Sequence, residues 1–272
     1  MRIRMVAGLL RRAYLSFATH ILDVPPRLLA LLLFLLLVFF PVTIGGPGDP
    51  FYLSGKSILR ILVSASIYAM FAASWDLLVR AGQMSLGHAL FWGVGAFATG
   101  LLSTLYGLPL LATIPLSVLI GTLVALAVGF PLLRVKGAYL VLVTMALPLI
   151  IVGLISPFKH LSLMWPILSG LPSFFPFLKT YEETVANYYF TLLLLLVSSV
   201  ILYKVANSKT GIVLVSILDD ELASKASGIN VTKYKLLAFV VSGFFATLAG
   251  CVFAHVNDIA SVASFEITVS VL

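Results

Sequence analysis

Seven apolar runs succeed one another at approximately 28–44, 57–79, 85–105, 109–132, 137–156, 187–203 and 236–256, and an eighth begins near Phe265. A bilayer core needs roughly 17–25 apolar residues in helical form to cross it, and each of the seven runs meets that length. Within lipid every backbone polar group must be paired internally, so only helices and closed barrels span it. A barrel would be written in alternating segments of about ten residues, whereas these runs are continuous. The expected fold class is all-α: a polytopic transmembrane helix bundle, read as a single transmembrane domain over residues 1–272. Composition agrees. With 61% hydrophobic and 10% charged residues and a mean hydropathy of +1.14, the chain has too little polar surface to coat a water-soluble globule.

The basic residues set an orientation. Placing the N-terminus inside puts 13 Lys and Arg residues in the inner segments and 4 in the outer ones, which are Lys56, Arg60, Lys159 and Lys179. That asymmetry follows the positive-inside rule without adding or removing a span. The net charge of +7 is spread over loops rather than massed in one arm with interleaved aromatics, so nucleic acid is not an expected partner; the lipid bilayer is. The basic leader MRIRMVAGLLRRAYLSF precedes an apolar core longer than a signal h-region with no small-residue cleavage pattern after it, and is read as leading into an uncleaved first span. The lone Cys251 lies in an apolar run and is taken as a packing residue.

Two loops are long. Residues 157–186 lie outside and are rich in proline and aromatics, as short interfacial elements would be. Residues 204–235 lie inside, contain the clustered acids Asp219, Asp220 and Glu221, and read as holding a helix with these capping acids near its start and a stop at Gly228.

The stretch GQMSLGHALFWGVG, residues 82–95, gathers four glycines with Gln83, Ser85 and His88 at the lip of an apolar run. Ser85, Ala89 and Gly93 fall at i, i+4 and i+8, a small-residue seam that lets two helices pack backbone to backbone, and Gly95 and Gly100 extend the small surface. The polar members permit two readings: side chains snorkelling to water at a helix end, or a discontinuous helix broken at Gly82 that lines a pathway.

The sequence AGQMSLGHALFWGVGAFATGLL resembles the signature near the third helix of permease subunits of branched-chain amino acid ABC transporters. RVKGAYLVLVTMAL, with Tyr139 and Thr144, is similar to that family's approach to the next helix, and NYYFTLLLLLV to its Tyr-Tyr-Phe segment. SKTGIVLVSILDDELASKASGINVTKYKLLAFVVSGFFATLAGCVFAH resembles its long cytoplasmic loop and following helix. The resemblance implies an importer permease built from two inverted helix repeats, and the opposite directions of the second and seventh spans fit that plan. It implies ABC ATPase subunits, a second homologous permease subunit and a periplasmic or cell-surface binding protein as partners. ATP would be used by the partner ATPase, with no cofactor bound by this chain. The implied location is a bacterial or archaeal plasma (inner) membrane, multi-pass, N-terminus cytoplasmic.

On the same basis, Gly82, Gln83, Ser85, Gly87, His88, Ala89, Gly93, Gly95, Tyr139 and Thr144 are candidates for pathway lining or helix packing. Within the 204–235 coupling loop, Asp219, Asp220, Glu221, Ala223, Gly228 and Asn230 match a coupling helix that docks on the ATPase. The chain departs from the family in three places. The Glu-Ala-Ala pattern of importer coupling loops is replaced by Leu222-Ala223-Ser224, the outer loop offers ILSGLPSF where relatives carry a glycine-serine-aspartate stretch, and relatives continue past SFEITVSVL through further helices. The second repeat is therefore expected to be truncated, by a shortened gene or in a divergent short form.

Competing classes are weaker. An ion-coupled secondary transporter would place carboxylates inside its spans, and Asp76 near a span end is the one candidate. An enzyme would need a nucleophile, metal or carboxylate constellation. His20, His88, His160 and His255 lie on both faces without ligand spacing, so neither catalytic nor metal residues are expected. The expected cargo is leucine, isoleucine or valine, the alternative being urea, short amides or other amino acids.

Overall fold

The computed structural model describes residues 37–41, 52–133, 135, 137–155, 167–178 and 180–266. In chain order these form α1 (Tyr52–Val79), α2 (Ala89–Thr104), α3 (Leu110–Leu132), α4 (Ala138–Ile155), β1 (Ile167–Ser169), α5 (Thr180–Ala206), α6 (Lys209–Asp219), α7 (Glu221–Ala226), α8 (Val231–Asn257), β2 (Ile259–Ser261) and a 3-10 turn at Val262–Phe265. Residues 37–41 are also helical. The rest of the expected first span, and the expected eighth span beyond Glu266, lie outside the described residues. The chain divides into two compact units, Met1–Ser57 and Ile58–Leu272, and the second holds every element from the body of α1 onward.

Among the described residues, four stretches are long and apolar enough to cross a membrane: Gly55–Val79, Leu110–Leu132, Thr180–Ala206 and Val231–Asn257. α2, at 16 residues, is about 24 Å long, short of a hydrocarbon core of about 30 Å. The run expected to be helical over 85–105 loses its first turn, since Gly82 takes a left-handed φ of +71° and the chain through residue 88 is irregular and turned. α5 differs the other way. It begins at Thr180, inside the stretch assigned by sequence to the outer loop, with Glu182 and Glu183 in its first turn, where carboxylates favour a helix N-terminus. The inner loop holds the expected helix, α7, with Asp220 at its start and Gly228 at its stop, and before it an unexpected helix, α6, broken from α7 at Asp220 with φ −152° and ψ 107°.

The core of the second unit is the trio α2, α3 and α8. A methyl group on Gly95 would overlap the Thr247 carbonyl oxygen, and one on Gly250 the Trp92 carbonyl oxygen, so α2 and α8 meet backbone to backbone. The expected seam through Ser85, Ala89 and Gly93 is thus displaced. Ser85 precedes the helix, and Gly93, about 200° around the helix from Gly95, faces the ring of Phe265 instead. Next to this contact Tyr68 stacks on Trp92 with ring centroids 5.2 Å apart, and Phe253 closes on Trp92 at 4.9 Å.

Long-range hydrogen bonds sort the helix ends into two sets. At one end β1 pairs antiparallel with β2 in the register Ile167↔Ser261, Leu168↔Ala260 and Ser169↔Ile259. Asp258, in a left-handed conformation after α8, accepts the Leu171 N–H at 2.5 Å. His255 Nδ1 donates to the Pro172 carbonyl at 2.9 Å, which leaves its Nε2 to accept the Thr99 hydroxyl at 2.8 Å. At the other end Trp75 Nε1 donates to the Ser85 carbonyl at 2.7 Å. Segments that the charge asymmetry puts on one side of a membrane therefore come together in space.

Candidate functional site

The glycine-rich lead-in to α2 is buried rather than wet. Gln83, Ser85 and His88 are 3%, 2% and 1% exposed, so the snorkelling reading of these side chains does not hold. Gly82 starts the segment by turning it out of α1, and the Gln83 N–H returns to the Leu78 carbonyl at 3.2 Å. Ser85 Oγ accepts the Gly87 N–H at 3.2 Å. Thr144 of α4 accepts the Leu86 N–H at 3.2 Å while donating to the Val141 carbonyl at 2.9 Å. A Cβ on Gly87 would overlap the Thr144 carbonyl. The segment is thus held by backbone and hydroxyl contacts that hydropathy does not register.

His88 is the polar centre. Ser74 Oγ gives its proton to the Phe71 carbonyl at 2.6 Å, and Ser242 Oγ gives its own to the Ser74 carbonyl at 2.6 Å. Both hydroxyls are then acceptors toward the ring, so His88 Nε2 carries the proton it shares with Ser74 at 2.9 Å and, more weakly, with Ser242 at 3.4 Å. Its Nδ1, like Gln83 Oε1, is buried with no hydrogen-bond partner among the described residues. Phe71 and Phe91 pack on the imidazole at 4.9 and 5.6 Å. The result is a polar node between α1, α2 and α8 inside an aromatic shell.

Gly82, Gln83, Ser85, Gly87, His88 and Thr144 are brought together, with fully buried Ala89 directly after them. Gly93 and Gly95 serve packing further along α2, and Tyr139 is 74% exposed and stands apart. Ser74 and Ser242 escape sequence reading, because a lone serine in an apolar helix carries no periodic signal.

The second group lies on α6 and α7. Asp220 caps α7, its Oδ1 accepting the N–H groups of Leu222 at 2.8 Å and Ala223 at 3.0 Å. Glu221 reaches Lys225 at 2.7 Å and Lys235 of α8 at 2.9 Å. Ser224 Oγ donates to the Ser216 carbonyl at 3.0 Å, folding α7 onto α6. At the far end Gly228 has φ +83°. Its N–H bonds to the Lys225 carbonyl and that of Ile229 to the Ser224 carbonyl, the paired 5→2 and 6→1 bonds of a Schellman stop. Asn230 then caps α8 by accepting the Lys233 N–H at 3.1 Å. Asp219 closes α6 and is exposed, as is Ala223. The two groups touch, since a Cβ on Gly82 would lie 3.6 Å from Leu218 Cα.

Residues 57–272 match the family described as branched-chain amino acid transport system / permease component. The chain belongs to this permease family. Among its relatives is the high-affinity branched-chain amino acid transport system permease protein LivM of Salmonella typhimurium, 28% identical over 240 residues, covering 79% of this chain and 56% of that one. The ribose import permease protein RbsC of Haemophilus influenzae is 28% identical over 217 residues, 75% of this chain and 62% of that one. The autoinducer 2 import system permease protein LsrC of an Enterobacter species is 28% identical over 218 residues, 76% and 58% respectively. This permease-family chain thus spans little more than half the length of these curated relatives. No solved structure matches it. The multi-pass helical fold and the family agree on a membrane transport component.

Proposed function

We propose that this chain is a membrane-spanning permease subunit of an ATP-driven importer for branched-chain amino acids in a bacterial or archaeal plasma membrane. The observation that carries the reading is the α6–α7 bend slung between α5 and α8. Ile212, Val215, Leu218 and Leu222 are exposed along it, at 68%, 40%, 47% and 74%, while Glu221 and Ser224 fix the bend to its own chain. Exposed apolar side chains on a braced pair of helices make a surface for a partner, which here is the ATPase. A second permease subunit and a substrate-binding protein complete the assembly, and ATP is consumed by the partner, with no cofactor held by this chain. The amino-acid cargo is supported by the LivM relative, and the ribose and autoinducer relatives make other small polar cargoes the competing reading. Ion coupling is disfavoured, because Asp76 is exposed and paired with Arg80 at 2.7 Å rather than buried among the helices.

The orientation follows the charge asymmetry, with the α6–α7 bend cytoplasmic. In a Cys251→Ser background, cysteine at Phe177, which is 97% exposed, is expected to react with an impermeant thiol reagent on intact cells, and cysteine at Leu222 only after permeabilisation. Equal labelling on intact cells would refute that topology. The cargo is tested by uptake through the complete system. Radiolabelled leucine is expected to accumulate in an ATP-dependent way, with isoleucine and valine competing and ribose not. His88→Leu and Gln83→Leu are expected to lower the rate while the complex still assembles. Uptake that ribose inhibits and valine does not would assign a different cargo.

A further inference from the structure

At the end of the unit that carries β1 and β2, a pocket of about 330 Å³ opens between α1, α5 and the close of α8, a size within the range of small-molecule sites. Arg60 and Val63 of α1 share one helix face at i and i+3, and Glu183 and Asn187 of α5 share another at i and i+4; both pairs line it, with Val256 and Asp258 across from them. Arg60 lies five residues into an apolar stretch that starts at Gly55, a position where a charge calls for polar surroundings, and it lines this pocket.

The charged groups of the pocket are not paired with one another. Asp258 spends a carboxylate oxygen on the Leu171 N–H. Neither Arg60 nor Glu183 makes an ion pair among the described residues, so opposite charges line one cavity without meeting. Asn187 is 9% exposed, and its Oδ1 is buried with no hydrogen-bond partner among the described residues. A buried amide oxygen without a donor is an energetic deficit that a ligand N–H can remove.

We propose that this pocket binds the zwitterionic head of a free α-amino acid on the outer side of the permease. Arg60 takes the carboxylate, Glu183 and Asn187 Oδ1 take the ammonium, and Val63 and Val256 receive an aliphatic side chain. A neutral amide or sugar satisfies neither charge. The inference rests on the proposed function, in taking the cargo to be an amino acid, and goes beyond it in naming where that cargo is held within this chain.

The test uses the full chain in lipid nanodiscs and radiolabelled leucine, with L-leucinamide and 4-methylpentanoate as competitors that each keep one of the two charges. Wild type is expected to bind leucine saturably and each competitor about tenfold or more weakly, the loss of one charged hydrogen-bonded contact. Arg60→Met is expected to bring leucine down to the affinity of leucinamide, and Glu183→Gln to bring it down to that of 4-methylpentanoate, while Arg60→Lys keeps part of the preference. Arg60 is exposed, so its replacement leaves the core intact, and an unchanged melting temperature verifies this. Affinities within about twofold of wild type in both Arg60→Met and Glu183→Gln, or no saturable binding by wild type, would overturn the site. Uptake by the complete system separates the two claims. Leucine transport at the wild-type rate in both variants removes the pocket and leaves the proposed function standing, whereas absence of leucine uptake in wild type removes the proposed function.

Discussion

Gly250→Leu is expected to prevent the permease from reaching a stable, extractable fold, and Gly95→Leu to do the same. At both positions the obstacle to a side chain is a backbone carbonyl, of Trp92 and Thr247 respectively. A flexible neighbour could rotate aside, but a carbonyl within a helix moves only with its helix. Overpacking typically costs about 1–3 kcal/mol where side chains can adjust, and forcing two helices apart also forfeits the dispersion contacts that hold them together in lipid. Against a total stability of about 5–15 kcal/mol, that is a large fraction. Size-exclusion of a fluorescent fusion after mild detergent extraction checks it: the variants should aggregate or vanish. Gly153→Leu, at a site where a Cβ meets nothing within 4 Å, should elute like wild type. A monodisperse Gly250→Leu peak of normal height would mean that α2 and α8 do not touch as described.

The second large effect is expected at the stop of α7. Gly228→Val puts a β-branched residue at φ +83°, a conformation that costs an L-residue about 1–2 kcal/mol; relaxing that φ breaks the two Schellman bonds and swings α7 relative to the start of α8. Combined with Asp220→Ala, which removes a cap worth about 0.5–2 kcal/mol, it should unravel the six-residue α7. Copurification of the ATPase should fall about tenfold or more, and ligand-stimulated ATP hydrolysis in reconstituted vesicles should fall with it. Undiminished copurification in the double variant would remove α7 from the coupling surface. A proline at Ala223 is the substitution that sequence alone recommends, on the premise of a helix interior. Ala223 is instead the third residue of α7, and its N–H bonds to Asp220. Proline there deletes one cap bond, so its effect is expected to be the smaller one.

What is legible in the sequence and what is not divides along physical lines. The long apolar helices α1, α3, α5 and α8 are legible because hydropathy measures the solvent they face. The start of α5 is hidden because TYEETVAN is polar, and polarity at a helix end reads as loop. The shortness of α2 is hidden because a glycine such as Gly82 permits a left-handed φ without announcing it. The acids at 219–221 are legible as caps, and Asp220 does cap α7; α6 before it is hidden because its apolar residues are too few to read as a span. Close packing around Gly95 can be expected from small residues, but its partners Thr247 and Trp92 belong to long-range geometry. So do the Ser74–His88–Ser242 node and the Gly82 contact with Leu218, which join segments more than a hundred residues apart.

α8 has a mechanical consequence. It runs for 27 residues with no interior proline, about 40 Å, whereas α3 contains Pro115 and Pro131 and α4 contains Pro148, each removing a backbone hydrogen bond and inviting a bend. One end of α8 is pinned to α7 through Lys235 and Glu221, the other to the outer loop through Asp258. α8 is therefore a stiff strut, as the equally proline-free α1 and α5 are, and compliance lies in α3, packed beside it, and in α4. Were the α6–α7 bend displaced, α8 would carry the motion as translation, and the bending would fall at the prolines of α3 and α4.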